Sequence, residues 1–295
     1  MISICIPVYN FHVYNLVAEL QKQANNINAK YEIICIDDFS DSDYVGANNN
    51  ILDFPCVKYI KLRENIGRSK IRNLLAKKAN YKNLLFIDCD SKIIKEDYLE
   101  KFINNISNNS VIYGGRIHSS VVPNDKKLYL RWLYGIQRED IPFKSRKLDS
   151  YISFKTNNFL IKREVLLDIK FNESIKGYGH EDTLFALQLK DKNIPLNHID
   201  NSVVHIGLET AEDFLNKTRE AIKNLELISS KFSKIISEIK ILRVYHKMKK
   251  NKLTVFMKII HPLFSFILKR NLLSNRPKLF FFDMYKLSFL FYYSK

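Results

Sequence analysis

The stretch LLFIDCD, residues 84–90, joins four apolar residues to two aspartates that flank one cysteine. A short, continuously apolar run is typical of a β-strand that is buried on both faces of a sheet. Earlier runs of the same kind lie at residues 3–8, 31–36 and 57–62. Apolar residues at three- and four-residue spacing, which indicate amphipathic helices, follow the first, third and fourth runs. Strands that alternate with helices predict an α/β fold, with a mostly parallel sheet flanked by helices.

Polar side chains follow the predicted strands at the points where the strands end. These residues are Asn10, Asp37, Asp38, Asp88 and Asp90. In parallel α/β sheets, ligands bind at the carboxyl ends of the strands. We therefore expect one ligand site at this edge of the sheet, built from these side chains.

The pattern is less regular after the fourth predicted strand. Residues 111–117 and 203–206 are predicted to be strands, and residues 181–191 a helix. Residues 211–239 keep helical spacing and predict one long helix or two.

Positive charge is concentrated toward the C-terminus. The chain has 47 Lys and Arg against 31 Asp and Glu, a net charge of +16, which favours anionic partners. The basic residues are dense after Lys240, where they are interleaved with large apolar residues, and this favours a membrane surface over nucleic acid. Residues 253–268 and 279–293 are therefore predicted to be amphipathic segments at a membrane interface. The alternative is a helical lid that packs on the domain.

Cysteine usage and the N-terminus bear on the compartment. The four cysteines form no C-x-x-C pair, so a disulfide framework is not expected. The first residues lack the basic stretch of a signal peptide, and no uncharged apolar run is long enough for a membrane span. We expect a cytoplasmic protein that is peripheral at the inner face of a membrane.

The D-x-D stretch around Cys89 is a candidate metal site. In an extended chain, Asp88 and Asp90 would point to the same side, roughly 6.6 Å apart along the strand. Two such carboxylates can hold Mn²⁺ or Mg²⁺, and the cation would neutralise a bound diphosphate. His205, on a predicted apolar strand, is a candidate third ligand. The alternatives are solvated acids at a strand end and a histidine of the core.

Two further strand-end segments could bind a nucleotide. The Asp38 carboxylate can accept hydrogen bonds from a base N–H or a ribose hydroxyl, or it can form a loop-initiating turn. Residues 65–73, NIGRSKIRN, predict a turn at Gly67 and then a helix start. Arg68 and Arg72 lie four residues apart on that helix, where they would bind phosphate or form a solvated basic face.

The stretch GYGHED, residues 177–182, is the second acidic site. Glu181 and Asp182 fall in the first turn of a predicted helix, where the helix dipole would keep carboxylates ionised. An ionised carboxylate in a cleft can act as a general base on a sugar hydroxyl. The alternative is the ordinary preference of acids for helix N-termini.

These motifs, in this order, resemble those of family 2 glycosyltransferases with the Rossmann-like GT-A fold. Residues 3–10 resemble the family's opening strand, residues 36–43 its V-D-D-G-S-x-D segment, and residues 65–73 its N-x-G-x-x-x-x-R-N motif. The D-x-D follows at residues 88–90. The GYGHED stretch is similar to the G-W-G-x-E-D motif of galactosyltransferase-type C-terminal regions, with Tyr178 in place of Trp.

The resemblance implies a metal-dependent hexosyltransferase that inverts the anomeric carbon of a nucleotide-sugar, expected to be a UDP-sugar. The acceptor would be a saccharide or a lipid-linked molecule of surface polysaccharide or glycoconjugate synthesis. The residues implied in donor binding are Pro7, Tyr9, Asn10, Asp38, Asn65, Gly67, Arg72, Asp88, Cys89 and Asp90. Asp38 would contact the base. Asp182 would be the catalytic base, and Glu181 would orient the acceptor hydroxyl.

The resemblance also implies a division of the chain. Residues 1–115 would bind the nucleotide-sugar, and residues 116–210 the acceptor. From their composition, residues 211–295 are predicted to form a helical, basic and aromatic, amphipathic C-terminal region that either associates with a membrane or packs as a lid.

Three other functions fit parts of the pattern. The IDCD stretch, residues 87–90, resembles the nucleophile motif of haloacid-dehalogenase-type phosphatases, although that motif normally follows the first strand. A nucleotidyltransferase would have a Gly-rich basic loop after the first strand, which residues 10–14 lack. A membrane-associated protein that binds sugar nucleotides without catalysis would not need the complete set of acids.

Overall fold

The computed structural model describes residues 1–27, 29–106, 111–233 and 235–294, and these contain ten strands and thirteen α-helices. The strands are β1 (Ile2–Val8), β2 (Tyr31–Asp37), β3 (Val57–Lys61), β4 (Asn83–Ile87), β5 (Ser91–Lys92), β6 (Val111–Tyr113), β7 (Arg116–His118), β8 (Asn158–Lys162), β9 (Leu196–His198) and β10 (Val203–His205). The helices of the first 200 residues are α1 (Tyr14–Asn26), α2 (Ser42–Asn48), α3 (Arg68–Lys78), α4 (Tyr98–Asn104), α5 (Tyr129–Tyr134), α6 (Phe143–Arg146), α7 (Arg163–Ile169) and α8 (Glu181–Asp191). The later helices are α9 (Ala211–Lys231), α10 (Ile235–Glu238), α11 (Lys240–Lys250), α12 (Thr254–Leu272) and α13 (Leu279–Tyr293).

The main sheet has seven strands in the order β3-β2-β1-β4-β8-β6-β9. All neighbours run parallel except β8, which is antiparallel to both β4 and β6. This confirms the predicted α/β fold with a mostly parallel sheet flanked by helices. In the register of β1 with β2, Val8 lies opposite Asp37, so the polar residues after these two strands come together at one edge.

Apolar side chains cover both faces of this sheet. Because side chains alternate along a strand, Ile4 and Ile6 of β1 pack on one face and Cys5 on the other. The first face is covered by α1 and α4, and the second by α3, α7 and α8. The sheet therefore has the continuous apolar strands that its two covered faces require.

The prediction of one continuous strand over residues 111–117 is wrong, because the strand is interrupted at Gly114 and Gly115. Gly115 has a φ of 104°, and a Cβ on it would overlap the Arg146 guanidinium. β6 therefore ends in the main sheet, and β7 starts a second sheet of order β5-β10-β7. In this second sheet His205 lies opposite Ser91 on one side and His118 on the other.

The described residues form two compact units. The first comprises Met1–Ser119, Glu139–Lys176 and Glu181–Gly207, and the second Ser120–Arg138, Gly177–His180 and Leu208–Lys295. The predicted division at residues 115 and 210 assigns regions to the donor and the acceptor, which these units do not test, and it stays a prediction.

The second unit is built on α9 and the helices after it. The helical pattern over residues 211–239 corresponds to α9 and the short α10, with residue 234 outside the described part of the chain. Phe214 of α9, Leu268 of α12 and Phe282 of α13 share one apolar cluster. None of the helices in the described ranges combines the length and apolarity that a membrane span needs.

Candidate active site

The acids at the end of β2 hold the neighbouring loops. Asp37 accepts hydrogen bonds from the Tyr59 hydroxyl (2.7 Å) and from the Ser40 backbone N–H (2.7 Å). Asp38 accepts the backbone N–H groups of Ile66 (2.7 Å) and Gly67 (3.0 Å) on separate carboxylate oxygens. Burial raises the pKa of Asp38, and these two hydrogen bonds oppose the rise. Asp38 therefore fixes the turn that precedes α3.

Asn65 and Gly67 lie in this same turn. The Asn65 side chain donates a hydrogen bond to the Asp38 backbone carbonyl at 3.0 Å. Gly67 has a φ of 82°, which a side chain would strain, and it precedes the first residue of α3. The structure thus brings together Asp38, Asn65 and Gly67, which the sequence separates by almost thirty residues.

The residues after β1 divide between a loop anchor and an exposed ring. The Asn10 side chain donates to the Asp41 carboxylate (3.1 Å) and accepts from the Asp41 backbone N–H (2.8 Å), with Asn10 itself at a φ of 45°. Tyr9 is exposed, and Pro7 is half-buried within β1. Of the predicted donor residues here, Asn10 shapes the loop and Tyr9 presents a free face to solvent.

The two aspartates of the D-x-D face different partners. The expectation of an extended chain is wrong, because β4 ends at Ile87 and the Ser91 N–H closes a turn on the Asp88 carbonyl at 3.1 Å. Asp88 accepts a hydrogen bond from Arg72 at 2.9 Å, whereas Asp90 lies 3.1 Å from His205 Nε2. Cys89 between them is half-buried, and burial raises the pKa of its thiol, which stays neutral.

Arg72 connects the D-x-D to the second acidic motif. Its guanidinium, only 2% exposed, donates to Asp88 and lies 3.8 Å from the Glu181 carboxylate. Arg68, on the preceding turn of α3, is 4.0 Å from Glu181 and 44% exposed. The alternative interpretation, a solvated basic face on α3, is therefore wrong for Arg72. Arg72 is a buried counter-ion for two acids.

Glu181 and Asp182 occupy different environments although they are adjacent. Burial, and next the charge of Asp182, raise the pKa of Glu181 against the opposing effect of Arg68 and Arg72. The rise opposes the influence of the helix dipole, which favours the ionised form of both acids. Asp182 is partly exposed, accepts the Thr183 N–H at 2.6 Å and lies 3.1 Å from Lys155 Nζ. Of the two acids, Asp182 is the more exposed, at 17% of its side chain against 6% for Glu181.

Asp90 and His205 could share one divalent cation. Adjacent ligands of an octahedral ion, each bound at about 2.1 Å, are about 3 Å apart, which matches the 3.1 Å between Asp90 Oδ2 and His205 Nε2. Burial alone would raise the pKa of Asp90, but the hydrogen bond and charge of His205, followed by Arg116 and Arg68, lower it to about 2. Across residues 1–27, 29–106, 111–233 and 235–294, no group of three or more His, Cys, Asp and Glu side chains is arranged for a metal.

Gly207 lies directly against this pair. A Cβ at Gly207 would be 2.7 Å from Asp90 Cβ and 2.8 Å from Asp90 Oδ2. Backbone hydrogen bonding from Ile206 N–H to the Asp90 carbonyl, at 2.9 Å, keeps the two segments together. The close approach needs a residue without a side chain.

A second charged cluster beside His205 was missed from the sequence. His118 Nδ1 lies 2.6 Å from Asp140 Oδ1, and Arg116 Nη2 lies 2.7 Å from Glu139 Oε2. The His118 and His205 rings are 5.2 Å apart. The signal in the sequence was the alternation of Arg116 and His118. It was not recognised, because these residues were assigned to one strand with residues 111–115 and not to the separate strand β7.

We expect Arg72→Met to lower the free energy of unfolding by about 3 kcal/mol, because Asp88 would lose its cation and buried Glu181 would lose the nearer, buried one of its two. Urea denaturation measures the change. Arg68→Met is the matched control and should cost under about 1 kcal/mol, since Arg68 is exposed and more distant. Equal losses of unfolding free energy in the two variants would show that the burial of Arg72 does not strengthen its contribution to stability.

Known proteins share this fold. The sequence model of the family described as Glycosyl transferase family 2 matches residues 3–169. The mannosyltransferase PcManGT from Pyrobaculum calidifontis, solved in complex with GDP-Man and Mn²⁺, has a TM-score of 0.52 and 14% identity, over 81% of this chain. This chain spans 65% of its length. S. aureus TarS 1-349 in complex with UDP has a TM-score of 0.51 and 18% identity, over 98% of this chain and 89% of that one. No curated protein matches in sequence.

Proposed function

The chain belongs to glycosyl transferase family 2 and has the GT-A fold, and from its site we propose that it is an inverting hexosyltransferase that uses a UDP-sugar. The observation that carries the proposal is the position of Arg72. Its guanidinium lies between Asp88 of the donor motif and Glu181, which immediately precedes the proposed base. One buried residue therefore joins the two motifs that sugar transfer requires.

We assign donor binding to the carboxyl ends of β1, β2 and β4. Both oxygens of Asp38 accept backbone N–H groups, but a carboxylate oxygen has a second lone pair that can accept a base N–H. Asn65 and Gly67 shape the turn beside it, and Asn10 shapes the loop after β1. The exposed ring of Tyr9 is available for contact with the nucleotide. Asp88, held by Arg72, is assigned to the ribose.

Asp90 and His205 are the residues that would hold the divalent metal. When bound, the cation would stabilise the negative charge on the departing diphosphate. The donor set is one carboxylate oxygen and one imidazole nitrogen, and nitrogen is a poorer ligand for Mg²⁺ than for a transition ion. We therefore favour Mn²⁺, although both ions are compatible with a site completed by water and diphosphate oxygens.

Asp182 is assigned as the general base. Its carboxylate would take the proton from an acceptor hydroxyl while that oxygen forms a bond to C1 of the donor sugar. The bond from C1 to the diphosphate oxygen breaks at the same time, UDP leaves, and the anomeric configuration inverts. Lys155 places a positive charge 3.1 Å from the Asp182 carboxylate. Glu181 would orient the acceptor through its position beside Arg68 and Arg72.

We place the acceptor among saccharides and lipid-linked molecules of surface polysaccharide or glycoconjugate synthesis. The support is the basic C-terminal region, because residues 239–295 contain 13 Lys and Arg and a single acid, Asp283. A location at the inner face of a membrane would bring such an acceptor within reach.

Thermal unfolding with a panel of nucleoside diphosphates and sugar nucleotides, with and without Mn²⁺, tests the proposal. A ligand that binds only the native state raises the melting temperature, by about 5 °C at a hundredfold excess over its Kd. We expect a shift with UDP and with one UDP-sugar that depends on Mn²⁺. GDP, with the same diphosphate and a different base, is the matched control. Folded protein that responds to no nucleotide, or to GDP alone, would contradict the proposed donor.

A further inference from the structure

One side of α12 carries an apolar stripe that no other part of the described chain covers. Its residues are Val255, Phe256, Ile259, Leu263, Phe266 and Ile267, each between 57% and 70% exposed. Residues three and four apart share a helix face, so all six point to the same side. Contiguous exposed apolar patches of more than a few hundred Å² are rare on soluble monomers and mark an interaction site.

The opposite side of α12 is the one that packs against protein. His261, Leu268 and Leu272 are buried there, and His261 Nδ1 lies 2.9 Å from the Ser288 hydroxyl of α13. Pro262 removes one backbone N–H from the middle of the helix without ending it. The helix is therefore held in place by one face while the other stays open.

The neighbouring helix α13 has a similar composition and a different role. Phe282, Tyr285, Phe289 and Leu290 are buried, and α13 packs on α9 and α12 within its own unit. The sequence predicts both apolar segments as interfacial, but most of the large apolar side chains of α13 are used inside the unit. The open surface is mainly that of α12.

Positive charge lies along the chain at both ends of the stripe. Exposed Lys252 precedes the helix, and exposed Arg270 lies near its end on the same side as the stripe. Helix α11 directly before it ends in Lys247, Lys249 and Lys250. With one acid among residues 239–295, the rim of the stripe attracts anions and repels other cations.

We propose that α12 lies in the plane of an anionic lipid bilayer, with its stripe in the acyl–headgroup boundary and the adjacent Lys and Arg on the headgroups. An apolar face bordered by cations has the chemistry of such an interface. A second copy is a poor occupant, because it would bring the same excess of positive charge against this one. The inference rests on the proposed function only in naming the membrane as the place where the acceptor is found. Lipid binding and sugar transfer are measured separately.

Flotation of the full chain with vesicles tests the surface. We expect binding to vesicles of phosphatidylcholine mixed with phosphatidylglycerol, weaker binding to phosphatidylcholine alone, and loss of binding at high salt. Ile259→Ser combined with Leu263→Ser should weaken binding about tenfold or more. Leu52→Ser combined with Leu148→Ser is the matched control, because those residues are 51% and 89% exposed outside α12. The control pair should bind as the unmodified chain does.

Three outcomes would overturn the inference. The first is unmodified protein that stays unbound with anionic vesicles, and the second is α12 variants that bind as well as the control. The third is a dimer in sedimentation velocity that dissociates in the α12 variants without any vesicle binding, which would assign the stripe to a second copy. The nucleotide-dependent melting shift, measured on the same variants, separates a failed membrane surface from a failed donor site.

Discussion

Asp182→Asn is expected to lower kcat by about 10³-fold and to leave the Kd for UDP unchanged, because a general base contributes about 10²- to 10⁴-fold. The amide has nearly the same shape, and its oxygen can still accept the Thr183 N–H. It cannot take a proton from the acceptor hydroxyl. Lys155 would lose its charge partner, but at a partly exposed site the effect on stability is small.

Glu181→Gln is the matched control, since it makes the same chemical change at the next residue. Glu181 is buried beside Arg72, so we expect a smaller loss of kcat, about tenfold, and a change in stability instead. Sugar transfer and UDP binding are measured on both variants at one pH. If Asp182→Asn kept more than a tenth of the activity while Glu181→Gln lost it, the base would have to be reassigned to Glu181.

Asp90→Asn is expected to lower transfer by about 10²-fold at a fixed Mn²⁺ concentration, because the proposed metal site would lose its charged ligand. The concentration of Mn²⁺ needed for half-maximal activity should rise with it. His205→Gln should have the same effect, since the two side chains are 3.1 Å apart. Titration of free Mn²⁺ by electron paramagnetic resonance provides a readout that does not depend on turnover.

Asp88→Asn is the control for the metal site. In the structure Asp88 faces Arg72 and not His205, so its substitution should weaken UDP binding without changing the Mn²⁺ requirement. An equal rise in the Mn²⁺ requirement of Asp88→Asn and Asp90→Asn would contradict this assignment and indicate that the two aspartates bind one ion together.

Local patterns were sufficient to predict β1 to β4, four of the seven strands of the main sheet, and the polar residues that follow them, but not β8 or β9. The apolar runs around Ile4, Ile34 and Leu85 are strands because each is buried on both faces, and this burial is visible in the sequence as an absence of alternation. The acids after these runs lie at the sheet edge because parallel strands end together. Asp38, Asp88 and Asp90 could therefore be placed before their partners were known.

The partners themselves depend on contacts between distant residues. Whether Asp88 faces a metal or Arg72 is decided by a turn between β4 and β5 that has no signature in D-x-D itself. The cluster of His118 and Asp140 depends on a strand that begins only because Gly114 and Gly115 redirect the chain. Helices α12 and α13 are both rich in large apolar residues, and packing within the unit alone determines which of them stays open.

The chain after β10 passes so close to Asp90 that position 207 has no room for a side chain. Any other residue there would push the carboxylate away from His205, although position 207 supplies no chemical group of its own. Selection for glycine at position 207 therefore acts through the neighbouring Asp90. Among homologous chains, glycine at this position should persist together with Asp90, and a residue with a side chain should appear at position 207 only where Asp90 is also replaced.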